Sequence, residues 1–271
     1  MPQIGLGTWK LRDDEAVRVV REAIAAGYRH IDTATLYRNE EAVGRAIGEA
    51  IAAGDITRDE LFVTTKLWND DQGEQRTPAA FQESLGRLGL DYIDLYLVHW
   101  PWPQRGLFVE SFEAVARLQG LGIIQAIGVA NFYEEPLREL VDRTGIVPAV
   151  NQVELHPGFS QPGLRELHEE LGVTTVAWSP LGRGMLLMNP TVDAVAREVG
   201  KTPAQIALRW LLQLGCGMIP RSSRRSRLVE NLDIASFQLT REQMERITAL
   251  DDAAGFGRIF EDPQTFPGEA G

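Results

Sequence analysis

Residues 29–66 read RHIDTATLYRNEEAVGRAIGEAIAAGDITRDELFVTTK. The stretch opens on a strand-like run, Arg29–Thr33, and closes on a second, Leu61–Lys66. Asn39–Ala53 between them is amphipathic with helical spacing. Strand, helix, strand is the unit that lays two strands parallel, because the helix must return the chain to the starting edge. Working outward, the same alternation continues. Further strand candidates are Ile4–Thr8, Ile93–His99, Gln125–Val129, Ala149–Val153, Thr174–Trp178 and Gly217–Pro220. Helical spacing marks Asp14–Ala26, Pro78–Leu88, Phe108–Gln119, Glu135–Asp142, Leu164–Leu171, Pro203–Leu214 and Ser226–Leu232. Thr77-Pro78 and Thr202-Pro203 have the form of an N-cap followed by Pro at the first helical position. Eight strands, each followed by a helix, spell an α/β fold of the (β/α)8 TIM-barrel type, one domain over residues 1–271. The seventh repeat is the longest and leaves room for an extra loop or short helix. A doubly wound sheet would carry a glycine fingerprint after its first strand, and Gly5-Leu6-Gly7-Thr8-Trp9-Lys10 lacks the third glycine. Residues 255–271, rich in Gly and Pro with three Phe, read as a tail folded over one barrel end or as a disordered segment.

A chain of 271 residues can bury a large core without disulfides. Its single cysteine, Cys216, excludes an intramolecular one and suits a reducing, cytoplasmic compartment. Cys216 lies in the apolar run 214–219 and reads as a buried thiol. The opening MPQIGLGTW has no basic region before an apolar run, so no signal peptide is expected. No run of about 18 apolar residues points to a membrane span. A net charge of −11 argues against a nucleic-acid partner. No long apolar stripe suggests an oligomer, so a monomer is expected.

Asp32, Lys66 and His99 end consecutive strands, and Tyr37 lies on the loop after the first of these. That end of a parallel barrel is where active sites are built. Taken singly, Asp32 suits a turn, Lys66 a snorkelling surface residue, His99 a satisfied core histidine and Tyr37 a packing wedge. Together they fit a proton-donating unit. Tyrosine, with a pKa near 10, is a poor acid at neutral pH. An ammonium beside it favours the phenolate, and a carboxylate keeps that ammonium charged. An imidazole can orient and polarise a carbonyl. Such a site protonates a carbonyl oxygen while hydride reaches carbon, and no side chain supplies hydride, so a nicotinamide or flavin is required.

The last strand is followed by Arg221-Ser222-Ser223-Arg224-Arg225-Ser226-Arg227, four arginines in an acidic chain. Phosphate sites after the last barrel strands are common, the serines can cap the next helix, and several arginines favour NADP over NAD. Five of six tryptophans, Trp9, Trp68, Trp100, Trp102 and Trp178, fall at or just beyond strand ends; only Trp210 sits in a helix. They read as a pocket wall and a platform for a nicotinamide ring. Asn131 and Gln152, ending strands five and six, can bond a carboxamide or simply form turns. His156 and His168 read as structural, and no metal-binding pattern is present.

These segments together resemble the aldo-keto reductase family, from about Pro2 to Asp262. Gly27-Tyr28-Arg29-His30-Ile31-Asp32-Thr33-Ala34 with Tyr37 and Asn39-Glu40 is similar to its first signature. Leu95-Tyr96-Leu97-Val98-His99-Trp100-Pro101, Val150-Asn151-Gln152-Val153-Glu154 with His156-Pro157, and Trp178-Ser179-Pro180-Leu181-Gly182 are similar to later segments. The resemblance implies Tyr37 as general acid, assisted by Lys66 and Asp32, with His99 orienting the carbonyl. It implies that Asn131 and Gln152 hold the carboxamide and that Trp178 stacks on the ring. Ser179, Leu181 and Gly182 then line the pyrophosphate. Arg221, Ser222, Arg227, Glu230 and Asn231 bind the adenosine end of NADPH with its 2′-phosphate. Among subgroups, the stretches 64–70 and 221–227 look most like the bacterial 2,5-diketo-D-gluconate reductases, with Trp9, Trp68 and Trp100 shaping the substrate pocket.

The chain departs from the family pattern in places. Ala130 stands where a serine is usual before Asn131, which removes one bond to the carboxamide. Arg221 replaces a usual lysine. The N-terminal hairpin of the family is missing, so a more open barrel bottom is expected, and the short tail suggests a roomy pocket. The function expected is NADPH-dependent reduction of small aldehydes and ketones, including sugar-derived dicarbonyls. The alternatives are a non-catalytic NADPH-binding redox sensor and a Schiff-base aldolase using Lys66.

Overall fold

Eight short strands run parallel in chain order in the computed structural model, which describes residues 1–266 and 268. They are β1 (Leu6–Gly7), β2 (His30–Asp32), β3 (Phe62–Leu67), β4 (Ile93–Val98), β5 (Ile124–Ala130), β6 (Val150–Glu154), β7 (Thr174–Trp178) and β8 (Gly217–Met218). Every neighbouring pair is parallel, with Gly7 beside Asp32, Lys66 beside Leu97 and Ala130 beside Gln152. The seam between β8 and β1 closes the barrel. Ile4 bridges Met218, and the amides of Gly5 and Gly7 donate to Met218 O and Pro220 O at 2.8 and 3.1 Å. Gly7 is required there: a Cβ would lie 2.7 Å from Ile219 O.

The helices are α1 (Asp13–Ala26), α2 (Glu40–Ala52), α3 (Arg76–Leu88), α4 (Phe108–Gly120), α5 (Glu134–Thr144), α6 (Pro162–Leu171), α7 (Pro190–Val199), α8 (Pro203–Gln213), α9 (Arg225–Leu232) and α10 (Arg241–Thr248). The apolar stripes are buried, as Ala16, Val19, Val20, Ala23 and Ile24 are on α1. Thr202 caps α8 through a capping box with Gln205. Thr77 does not cap α3. The helix begins a residue earlier, and the Thr77 hydroxyl donates to Asp71 O at 3.3 Å. The long seventh repeat holds a 3-10 segment, Gly182–Met188, and α7 before α8. α10 is an element the hydrophobic spacing did not reveal. Its signal is the Thr240-x-x-Gln243 capping box.

Apolar residues separate into layers. Leu95, Leu97, Ala130, Val150, Val176 and Ile219 fill the barrel, and larger clusters join its outside to the helices. At the amino end of β2 the buried His30 ring bonds Thr64 Oγ1 at 3.0 Å and meets Phe62 edge-on. Burial pushes the His30 pKa down to about 4. Among the described residues no helix is long and apolar enough to cross a membrane.

Candidate active site

Asp32 is the last residue of β2, and Lys66 lies next to the end of β3. Strand alternation turns both into the barrel, where neither side chain has any solvent exposure. Lys66 Nζ donates to Asp32 Oδ1 at 2.5 Å and to Thr33 O at 2.8 Å. The second Asp32 oxygen accepts from Gln152 Nε2 at 2.8 Å. Sequence reasoning placed Gln152 at a carboxamide; in the structure its amide reaches the buried ion pair. Burial pulls the Lys66 pKa below its ordinary value, against the opposing pull of Asp32 and Glu40.

Tyr37 ends a 3-10 turn, Thr35–Tyr37, that follows β2. Its half-buried ring has Lys66 Nζ 5.1 Å from the centroid and lies edge-on to His99 at 5.9 Å. The direction of its pKa corrects the sequence reading, in which the ammonium lowers it. Desolvation, joined by the Asp32 carboxylate, raises the Tyr37 pKa well above 10. The phenol is therefore protonated at neutral pH, the form that can donate. His99 follows β4 and is buried, with its pKa held well below 6.5 by burial and by Lys66. Its ring is neutral at pH 7, and Nδ1 has no hydrogen-bond partner among the described residues.

A second chain of bonds runs along the rim. Trp178 Nε1 donates to Asn131 Oδ1 at 2.9 Å, and Asn131 Nδ2 donates to His99 O at 3.0 Å. Asn131 and Ser179 both occupy the left-handed region, with φ of 63° and 51°. Strain of this kind persists where surroundings over-determine the backbone. Ser179, Leu181 and Gly182 follow β7 directly, on the same rim as Trp178. Arg221, Arg224, Arg225 and Arg227, between β8 and the first turns of α9, are exposed. None pairs with a carboxylate among the described residues. The serines do not cap α9, whose N-cap is Arg224; Ser222 Oγ instead accepts from the Arg224 amide at 3.2 Å. Glu230 Oε1 accepts from Thr202 at 2.5 Å, and Asn231 is buried beside it. Unpaired cations at a strand-to-helix junction fit a phosphate-bearing cofactor.

Two phenylalanines of the tail pack on the tryptophans of the rim. Phe266 stacks on Trp100 at 4.3 Å and meets Trp68 at 6.3 Å, while Phe260 lies edge-on to Trp178 at 5.9 Å. Arg183 lies 5.1 Å from both the Trp9 and the Phe260 ring centroids. Trp102 is partly exposed under Arg105. Glu154, which sequence reasoning left without a role, is buried and accepts the amides of Ile259 and Phe260 at 2.7 and 3.2 Å. Of the tail expected over residues 255–271, residue 267 and residues 269–271 lie outside the described residues. No cluster of metal-ligating side chains occurs among the described residues.

The aldo/keto reductase family model matches residues 3–252. The chain belongs to that family. An aldo/keto reductase from Mycobacterium sp. (strain JLS) is 51% identical to it over 98% of this chain and 94% of its own. The solved aldo/keto reductase from Brucella melitensis is 47% identical, with a TM-score of 0.88 over 93% of this chain and 95% of that one. A mutant of Gox0644 in complex with NADPH is 44% identical, with a TM-score of 0.91 over 98% and 94%. As an aldo/keto reductase on this barrel, the chain is an oxidoreductase whose polar cluster lies where the fold places its chemistry.

Proposed function

We propose that this chain reduces small polar aldehydes and ketones with NADPH, sugar-derived dicarbonyls such as 2,5-diketo-D-gluconate among them, and that Tyr37 is the general acid. The observation that carries the reading is the fully buried Lys66–Asp32 pair beneath a protonated Tyr37 and a neutral His99 at one rim. The family and the NADPH-bound relative support the cofactor. So do the unpaired arginines after β8, which suit a 2′-phosphate. NADPH, when bound, supplies hydride.

The residues of the chain divide the remaining work. His99, neutral and with unspent hydrogen-bonding capacity, orients the carbonyl oxygen. Tyr37 donates its proton to that oxygen as negative charge develops there. An alkoxide is a far stronger base than a phenolate, so even a phenol with a raised pKa can transfer. The Lys66 ammonium, 5.1 Å from the Tyr37 ring centroid, stabilises the phenolate left behind, and Asp32 keeps it in place. Asn131 and Gln152 hold the carboxamide, and Trp178 is the stacking platform. Ser179, Leu181 and Gly182 line the pyrophosphate. Arg221, Ser222, Arg227, Glu230 and Asn231 take the adenosine end. Trp9, Trp68 and Trp100 shape the substrate pocket, with Phe260 and Phe266 narrowing it toward small substrates. The protein acts as a cytoplasmic monomer.

The test follows NADPH absorbance with a panel of dicarbonyls for wild type and Tyr37→Phe. Turnover in wild type that collapses in the variant, with NADPH binding retained, is the expected result. NADPH binding with no turnover in wild type would favour the sensor.

A further inference from the structure

Behind the barrel wall another buried carboxylate is linked to both halves of the site, directly to β3 and through Ser84 to the turn that carries Tyr37. Glu40, the first residue of α2, is buried among polar partners. Its Oε1 accepts from Thr65 Oγ1 at 2.6 Å. Its Oε2 accepts from Ser84 Oγ at 3.2 Å and from Arg87 Nε at 2.9 Å, with Arg87 Nη2 at 2.7 Å. Ser84 Oγ in turn pairs with Thr35 Oγ1 at 3.1 Å and accepts from Arg87 Nη2 at 3.0 Å. Thr35 begins the 3-10 turn that ends at Tyr37, and Thr65 precedes Lys66 on β3. Because side chains alternate along a strand, Thr65 faces outward to Glu40 while Lys66 faces inward to Asp32.

We propose that Glu40 is a positioning residue of this site: its carboxylate ties the turn that carries Tyr37 to the strand that carries Lys66. The proposal rests on the carbonyl-reductase reading of the same residues. A buried carboxylate is costly, and an apolar replacement of similar volume is often no less stable. Retaining it here places two separately anchored side chains at a fixed separation. The hydroxyls of Thr65 and Ser84 are short and leave the carboxylate little freedom, and Arg87 closes the network from a partly exposed position. Glu40 also adds a second negative charge near Lys66. The titratable groups facing Lys66 are Asp32 and His30 on β2, Tyr37 on the turn, His99 after β4 and Glu40.

The chain has three lysines, Lys10, Lys66 and Lys201, so the 13Cε signal of Lys66 can be followed in lysine-labelled protein without turnover. Glu40→Gln, Thr65→Val and Ser84→Ala are compared with wild type. Thr65→Val and Ser84→Ala each cut one arm with almost no change of volume, and they carry the test if Glu40→Gln does not fold. The expected result is a kcat lower by about tenfold or more in each variant, with the carbonyl KM and the NADPH Kd little changed. In Glu40→Gln the Lys66 titration midpoint falls by about half a unit or more. Lowered thermal stability with wild-type kcat in the two neutral variants, or an unmoved Lys66 midpoint in folded Glu40→Gln, overturns the proposal. A wild type that consumes no NADPH with any carbonyl refutes the functional reading instead. The Lys66 midpoint, together with the hydrogen-bonded geometry of the Thr35–Tyr37 turn in Thr65→Val and Ser84→Ala crystals, then decides the role of Glu40.

Discussion

Lys66→Met removes one half of an ion pair that has no access to water. Lys66 Nζ lies 2.5 Å from Asp32 Oδ1, and both side chains are 0% exposed. At that spacing and an effective dielectric of about 20 the attraction is about 7 kcal/mol. Taking two ions out of water costs several kcal/mol each, so the intact pair contributes little net stability. The single substitution is different. It leaves Asp32 with one side-chain bond, from Gln152 at 2.8 Å, and strips Thr33 O of its donor. Stranding a buried charge in this way costs about 3–5 kcal/mol. For a chain of this size that is a fall in Tm on the order of 10 °C. Adding Asp32→Asn removes the stranded charge, so the double variant should recover most of the loss while remaining inactive. Urea unfolding followed by tryptophan fluorescence measures all four corners of the cycle. A double variant no more stable than Lys66→Met, or a Lys66→Met that unfolds at the wild-type urea concentration, is incompatible with a stranded Asp32 charge.

Arg227→Ala should weaken NADPH by about tenfold or more while leaving NADH nearly unchanged, because a lost charge-assisted bond to the 2′-phosphate is worth about 1.5–3 kcal/mol; equal losses for both cofactors in a fluorescence titration would place Arg227 elsewhere. Ala130→Ser restores one neutral hydrogen bond, and about 1 kcal/mol predicts roughly fivefold tighter NADPH binding; an unchanged Kd sinks the idea. His168, bonded to Asn151 and Thr175, has its pKa pushed down to about 4 by burial. Between about 4 and 6.5 the unfolded chain then binds a proton that the folded chain refuses, so stability falls as pH drops through that window. The dependence of Tm on pH should flatten in His168→Gln, and an unchanged slope counts against this assignment.

Most of the barrel was legible because its signals are local. Alternation of apolar runs and helical stripes placed every strand within two residues of its observed ends, and the missing third glycine excluded the doubly wound sheet. The residue types at the strand ends drew attention to Asp32, Tyr37, Lys66 and His99, and the order of strands put them on one rim. α10 escaped because charged and polar side chains dominate it and its apolar face is one buried residue wide, Ile247. Glu154 and Glu40 carried no role in the sequence because their partners come from the tail and from α3.

The order of elements, the side each strand residue faces and the chemistries that meet at the rim are all written into the linear chain. They follow from a period of two in strands, 3.6 in helices and the parallel connection between them. How those groups are charged, and which neighbours hold them, came from the folded packing alone. Desolvation, which depends on everything packed around a group, raised the Tyr37 pKa where pairwise reasoning lowered it. The Gln152 bond to Asp32 spans 120 residues, and Phe266 of the tail stacks on Trp100 of the rim. Such contacts depend on which distant side chains the closed barrel brings together, and no local pattern encodes that.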